Sequence, residues 1–131
     1  MIQNGADVNL IDESDDTALR RACYKGHVDV VKVLLQNGAF VNATCSEMGY
    51  SGIHWAAQEG HVGLVNVLIQ NGVDLTHVGN DGFDPLSLAV CCRHMTFALE
   101  LLCHGATIDE ESSGRIKRIP FFGVIMEKLE L

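Results

Sequence analysis

Little in this chain points toward catalysis, nucleic acid or a membrane. Across 131 residues no apolar run approaches the ~18 residues of a transmembrane helix, and no secretory leader opens the sequence. Basic residues are scarce: nine Lys and Arg stand against seventeen Asp and Glu, for a formal net charge of −8. Nucleic-acid affinity rests on clustered Lys and Arg, so this balance argues against that partner class. Proline, which breaks helix interiors, occurs only at Pro85 and Pro120. The five cysteines form no disulfide framework, and Cys91 and Cys92 are adjacent. Reduced thiols in an intracellular compartment, the cytoplasm first, fit that pattern.

Sites of chemistry are also missing. There is no Gly-rich phosphate loop and no Gly-x-Ser-x-Gly elbow. Cys91, Cys92, His94, Cys103 and His104 lack zinc-module spacing. Asp12, Glu13, Asp15 and Asp16 are dense in charge but lack the alternating ligands and trailing Glu of a calcium loop. They read as a solvated tip or as one side of an electrostatic contact. A nucleophile at Cys23 beside His27 would need an activating base and a third orienting group. No catalytic residue, metal or cofactor is therefore expected.

What the chain does have is a repeated phrase. Asn4-Gly5-Ala6-Asp7-Val8-Asn9 returns as Asn37-Gly38-Ala39-Phe40-Val41-Asn42 and as Asn71-Gly72-Val73-Asp74-Leu75-Thr76. It returns more loosely as His104-Gly105-Ala106-Thr107-Ile108-Asp109. A spacing of 33, 34 and 33 residues between the glycines means a stacked array of small units. Within each period the order is constant. Thr17 caps a first helix that Gly26 ends, and Val28, Val30, Val31, Leu34 and Leu35 then form one apolar helical face. Ser51, Gly60 and the run Val62, Leu64, Val65, Leu68 and Ile69 repeat the pattern. Asp84-Pro85 opens the third unit, whose turn is Arg93-His94 without a glycine, followed by Phe97, Leu101 and Leu102. Two such helices cannot bury their apolar faces alone, and stacking supplies the core. Ala22, Ala56, Ala57 and Ala89 let the first helices approach closely.

These residues resemble the ankyrin repeat family. Thr17-Ala18-Leu19-Arg20, Ser51-Gly52-Ile53-His54 and Asp84-Pro85-Leu86-Ser87 are similar to its Thr-Pro-Leu-His motif, and Gly26-His27 and Gly60-His61 to its turn between helices. The resemblance covers about residues 3–109. It implies an all-α solenoid of helix–turn–helix units with β-turn fingers, and a protein-binding role without catalysis. In the family the motif His helps tie loops together; the resemblance does not carry that tie to Arg20 or Ser87. One extra residue in the second unit is expected to be absorbed around Cys45 to Gly49.

The units divide as 12–44, 45–78 and 79–109. Residues 1–11 read as the end of a truncated repeat, which leaves the first unit's inner face for another repeat, a partner or self-association. Residues 110–131 read as a closing segment, with a helix from Pro120 to about Leu129. Arg115, Lys117 and Arg118 beside Phe121 and Phe122 give that segment a second reading as a docking helix. Charge follows the same division: residues 1–114 hold five basic and fifteen acidic side chains, and residues 115–131 hold four and two. A partner with a basic rim would be steered toward the array.

The resemblance places partners across the finger tips and the concave face of the first helices. The variable positions there are Glu13, Ser14, Asp16, Tyr24 and Lys25 in the first unit. They are Glu47, Met48, Tyr50, Gln58 and Glu59 in the second, and Asn80, Asp81, Phe83, Cys91 and Cys92 in the third. Tyr24, Met48, Tyr50 and Phe83 are the candidate anchors, because aromatics and Met are enriched at interfaces. Tyr50 and Phe83 could equally fold back between fingers. The expected function is a protein-interaction module; the alternative is a spacer or adaptor segment of a larger ligase, channel or enzyme.

Overall fold

A computed structural model describes residues 8–13, 16–45 and 47–105. Among them are six α-helices and no strand: α1 Ala18–Lys25, α2 Val28–Gln36, α3 Gly52–Glu59, α4 Val65–Gln70, α5 Pro85–Cys91 and α6 Met95–Cys103. A short 3-10 turn, Val62–Leu64, leads into α4. The expected closing segment and its helix from Pro120 lie outside the described residues.

Helix starts follow local chemistry. The Thr17 hydroxyl accepts from the Arg20 amide at 3.2 Å, and an Asp84 carboxylate oxygen accepts from the Ser87 amide at 2.7 Å. Each satisfies an amide that the first turn would otherwise leave open. At the third start the cap works with Pro85, whose fixed φ suits the first turn. At the second, His54 itself closes the cap: the Ser51 amide donates to its Nδ1 at 3.3 Å.

Helix ends α1 and α3 fall at Gly26 and Gly60, with φ of 75° and 76°. In the third unit Arg93 takes this left-handed role at φ 65°, which costs an L-residue about 1 kcal/mol. The glycines also make room. A Cβ on Gly26 would come within 2.6 Å of His61 Nδ1. Through that gap His61 Nε2 donates to the Tyr24 carbonyl at 2.9 Å, and His94 does the same to Gln58 at 2.9 Å. The histidines of the second and third turns therefore tie their units to the inner helix of the unit before.

The first helices form one layer, with α3 packed between α1 and α5, and the second helices form another. Contacts between α1 and α3 advance together: Cys23 lies against Gly52, Tyr24 against Trp55 and Gly26 beside His61, so the two run parallel. Ala22, Ala56, Ala57 and Ala89 are all buried at this stack, as their size requires. Leu64 and Phe97 are fully buried, and each contributes about 2–3 kcal/mol by leaving water. Val30, their counterpart in the first unit, stays 48% exposed, and Val33 beside it 50%.

The repeated phrase has a bonding role beyond marking the period. Asn42 accepts from the Asp74 amide at 2.7 Å and donates to the Gly72 carbonyl at 3.2 Å. Asn9 does the same to Phe40 and Gly38, at 2.7 and 3.1 Å. In the third copy Thr76 occupies that place and its hydroxyl turns back to Asp74 at 2.6 Å. Asn37 and Asn71 cap the preceding helices by donating to Val33 and Val67, both at 2.7 Å.

Candidate functional site

Three fingers precede the three inner helices. Backbone bonds close them from Asp12 to Asp16, from Cys45 to Tyr50, and from Gly79 to Phe83. The middle finger is longer by one residue, so the insertion sits where the sequence places it, with Gly49 at φ 69°.

The residue before each helix cap decides how its finger is held. In finger one it is Asp16, whose carboxylate lies 3.3 Å from Nε of the buried Arg20 and 3.7 Å from Nε of Arg21; Arg21 also bonds Asp12. The cluster expected to be a solvated tip or one side of an electrostatic contact is thus partly neutralised by α1, with Asp12 and Asp16 bonded and Glu13 left exposed at the turn. Arg20 supplies an ionic tie at the motif-His position.

In finger two the equivalent residue is Tyr50, and of the two readings of its ring, exposed at the tip or folded back between fingers, the structure has the second. Tyr50 is only 2% exposed. It stacks on His54 at 5.0 Å between centroids and meets Trp55 edge-on at 5.0 Å, and its hydroxyl bonds Asp81. Burial first, then Asp81, raises the phenol above the ordinary tyrosine range. The physical reason is that the neighbouring finger supplies both a hydrogen-bond acceptor and a surface to close over the ring.

The bonds from fingers two to three continue. His54 Nε2 donates to the His77 carbonyl at 3.0 Å, and His77 Nε2 donates to the Gly49 carbonyl at 2.8 Å. The Asn80 amide donates to the Met48 carbonyl at 2.8 Å, and its side chain to the Glu47 carbonyl at 3.0 Å. Asn80 and Asp81, expected as partner contacts, are exposed but engaged in joining the fingers. Phe83 is half-buried against the core. Burial, with His77 alongside, pushes His54 down to about 4, so its ring is neutral and its proton sits on Nε2.

Between units one and two the concave face opens into a groove of about 740 Å³. It gathers Asp16, Tyr24, Lys25, Glu47, Met48 and Gln58 from the expected set. Besides Arg20 and Cys45, it contains two further residues outside that set, Arg21 and Trp55. They occupy equivalent positions on α1 and α3, one turn before Tyr24 and Gln58. The signal was available: both inner-helix positions are concave by register, and Trp55 is the only tryptophan in the chain. Tyr24, 42% exposed, meets Trp55 edge-on at 5.7 Å, and Lys25 Nζ lies 5.9 Å from the Tyr24 ring centre. Glu13, Tyr50, Glu59, Asn80, Asp81, Phe83, Cys91 and Cys92 lie outside this groove, and Ser14 lies outside the described residues.

Chemically the groove offers aromatic faces, a thioether and rim charges. Cys23 is buried and burial pushes its thiol up to about 12, the reverse of an activated nucleophile. Among the described residues no group of His, Cys, Asp and Glu could hold a metal ion, and no helix is long and apolar enough to cross a membrane.

Comparison with known proteins agrees with this architecture. A family model described as ankyrin repeats in many copies matches residues 1–35 and 20–62, and one of three ankyrin repeats matches 42–112. The chain is 28% identical over 109 residues to a putative palmitoyltransferase ZDHHC13 of Danio rerio, covering 83% of this chain and 17% of that protein. It is 46% identical over 57 residues to ankyrin repeat domain-containing protein 63 of Mus musculus, covering 44% and 14%. It is 49% identical over 45 residues to ankyrin repeat domain-containing protein OPG015 of Monkeypox virus, covering 34% and 10%. The chain thus spans less than a fifth of each of these relatives. With helix pairs stacked in one register, turn histidines linking successive units and family models matched through residue 112, the chain belongs to the ankyrin repeat family.

Proposed function

We propose that this chain is a non-catalytic protein-interaction module that binds a protein partner across its finger tips and concave face, in an intracellular and cytoplasmic setting. Ankyrin repeats in general serve protein interaction. The observation that carries the reading for this chain is the open groove in which Tyr24 and Trp55 meet beside Met48. Rigid aromatics and Met at the centre of a concave patch, ringed by charge, are the composition of an interface centre. Glu13 and Glu47 favour a partner with basic residues at its rim.

The test is capture by the full chain against a double variant, Tyr24→Ser with Met48→Ser. Both residues are partly exposed, so the melting curve should stay nearly unchanged. Loss of a specific captured protein is the expected outcome; undiminished capture would remove the concave face from the reading. A second reading, a spacer or adaptor within a larger protein, is favoured by the small share of the relatives that the chain spans. It predicts that the groove variant leaves every interaction of the larger protein intact.

A further inference from the structure

The groove has a direction as well as an apolar centre. Glu47 belongs to finger two, before α3 begins, and Lys25 is the last residue of α1. The two helices run parallel, and α1, with eight residues at about 1.5 Å each, is about 12 Å long, so Lys25 stands at the end of the groove away from the fingers. Tyr24 and Trp55 meet between them.

The distribution of compensated charge sharpens this polarity. At the finger end Asp12 and Asp16 are bonded to Arg21 and Arg20. Glu13 and Glu47 have no ion pair among the described residues and remain exposed. At the turn end Lys25 is exposed beside the Tyr24 ring and is also outside any ion pair among the described residues. Within the groove lining the uncompensated charge is thus negative at Glu47 and positive at Lys25, with the aromatic pair between, while Glu59 at the end of α3 lies outside that lining.

We infer that the groove takes a short extended segment of the partner, about four residues long, with a basic side chain at the finger end, an apolar side chain against Tyr24 and Trp55, and an acidic side chain over Lys25. An extended chain advances about 3.3 Å per residue, so about four residues match the ~12 Å length of α1. The basic group meets Glu47, and the acidic group meets Lys25. Reversing either end charge places like charges together, which is how a rim selects among apolar segments of similar size. This inference rests on the concave-face reading and adds the chemistry of the occupant.

The experiment is selection of random heptapeptides displayed on phage against the full chain and against the single variants Lys25→Glu and Glu47→Lys. Synthetic copies of the selected peptides are then titrated against the chain while Trp55 emission is read. The wild type should select a base and an acid flanking an apolar residue. Lys25→Glu should shift selection to two bases, and Glu47→Lys to two acids. Each reversal should weaken the wild-type peptide by about threefold to fivefold, the scale of one partly exposed charge pair. Peptides that move Trp55 emission but show no charge pattern overturn the polarity and leave the concave-face reading standing. Failure of any selected peptide to move Trp55 emission overturns the segment itself, and the capture experiment then decides the broader reading separately.

Discussion

The junction between fingers one and two and the junction between fingers two and three arise from the same repeat, yet among the described residues one is open and the other is closed. At the second, Tyr50, His54, His77, Asn80 and Asp81 join the fingers through ring stacking and hydrogen bonds. At the first, Asp16 and Asp12 turn inward to Arg20 and Arg21 on their own helix, and a groove lies between the units. The difference comes down to paired positions. Where unit two has Tyr50 four residues before His54, unit one has Asp16 four residues before Arg20. A ring pair is large enough to reach the next finger and be covered by it. An ion pair satisfies itself locally and leaves the neighbouring surface free. A repeat protein can therefore keep a constant stack and still choose which junction receives a partner.

The largest effect should come from breaking the closed junction. Tyr50→Ala should cost about 3–4 kcal/mol, the scale of removing a buried aromatic, whereas Tyr24→Ala at the open junction should cost under about 0.5 kcal/mol. Urea unfolding compares the two directly, and equal losses would erase the contrast. Acid should attack the same junction. His54 is held down to about 4 from 6.5, so the unfolded chain takes up a proton near pH 6.5 and the folded chain only near pH 4. Stability from this group is complete above pH 6.5 and is lost as pH falls through about 4, by about 3 kcal/mol in all. His54→Gln should lower stability at pH 7 and flatten its decline between pH 6.5 and 4. An unchanged decline would mean that other groups set it.

Smaller changes test the links shared by both junctions. Asn42→Ala removes two bonds between successive phrases and should cost about 1–2 kcal/mol. Thr76→Ala, whose hydroxyl bonds only within its own phrase, should cost less than that when both are measured by chemical denaturation. The smallest effect should be a gain. Arg93→Gly places glycine where the backbone is already left-handed, and should raise stability by about 0.5–1 kcal/mol, visible as a higher Tm.

Helix positions, caps and turns were legible because they depend on neighbours in sequence. Thr17, Gly26, Asp84-Pro85 and the apolar faces act within one or two turns, and the period confirms each by repetition. The extra residue of finger two was legible for the same reason. Which of its two readings Tyr50 takes was not, because its burial depends on Asp81 and on the stack with His54 that the next finger covers. Nor was the role of Asn9 and Asn42, whose partners lie about thirty residues away at a distance that only the stacked units set. The groove was half legible. The resemblance named Tyr24, Lys25, Met48 and Gln58, while Arg21 and Trp55 were passed over, and Asp16 was read as part of a solvated tip or an electrostatic contact without the Arg20 that holds it.

Trp55 gives the most direct test of an open first junction, since it is the chain's only tryptophan and lines the groove. Its emission and its quenching by acrylamide should be measured as a bound peptide or partner protein is titrated to saturation. Occupancy of the groove predicts a shift in emission and a loss of quenching that track binding. Saturated binding with Trp55 unchanged in both would contradict it, and would move the interface to another face of the stack.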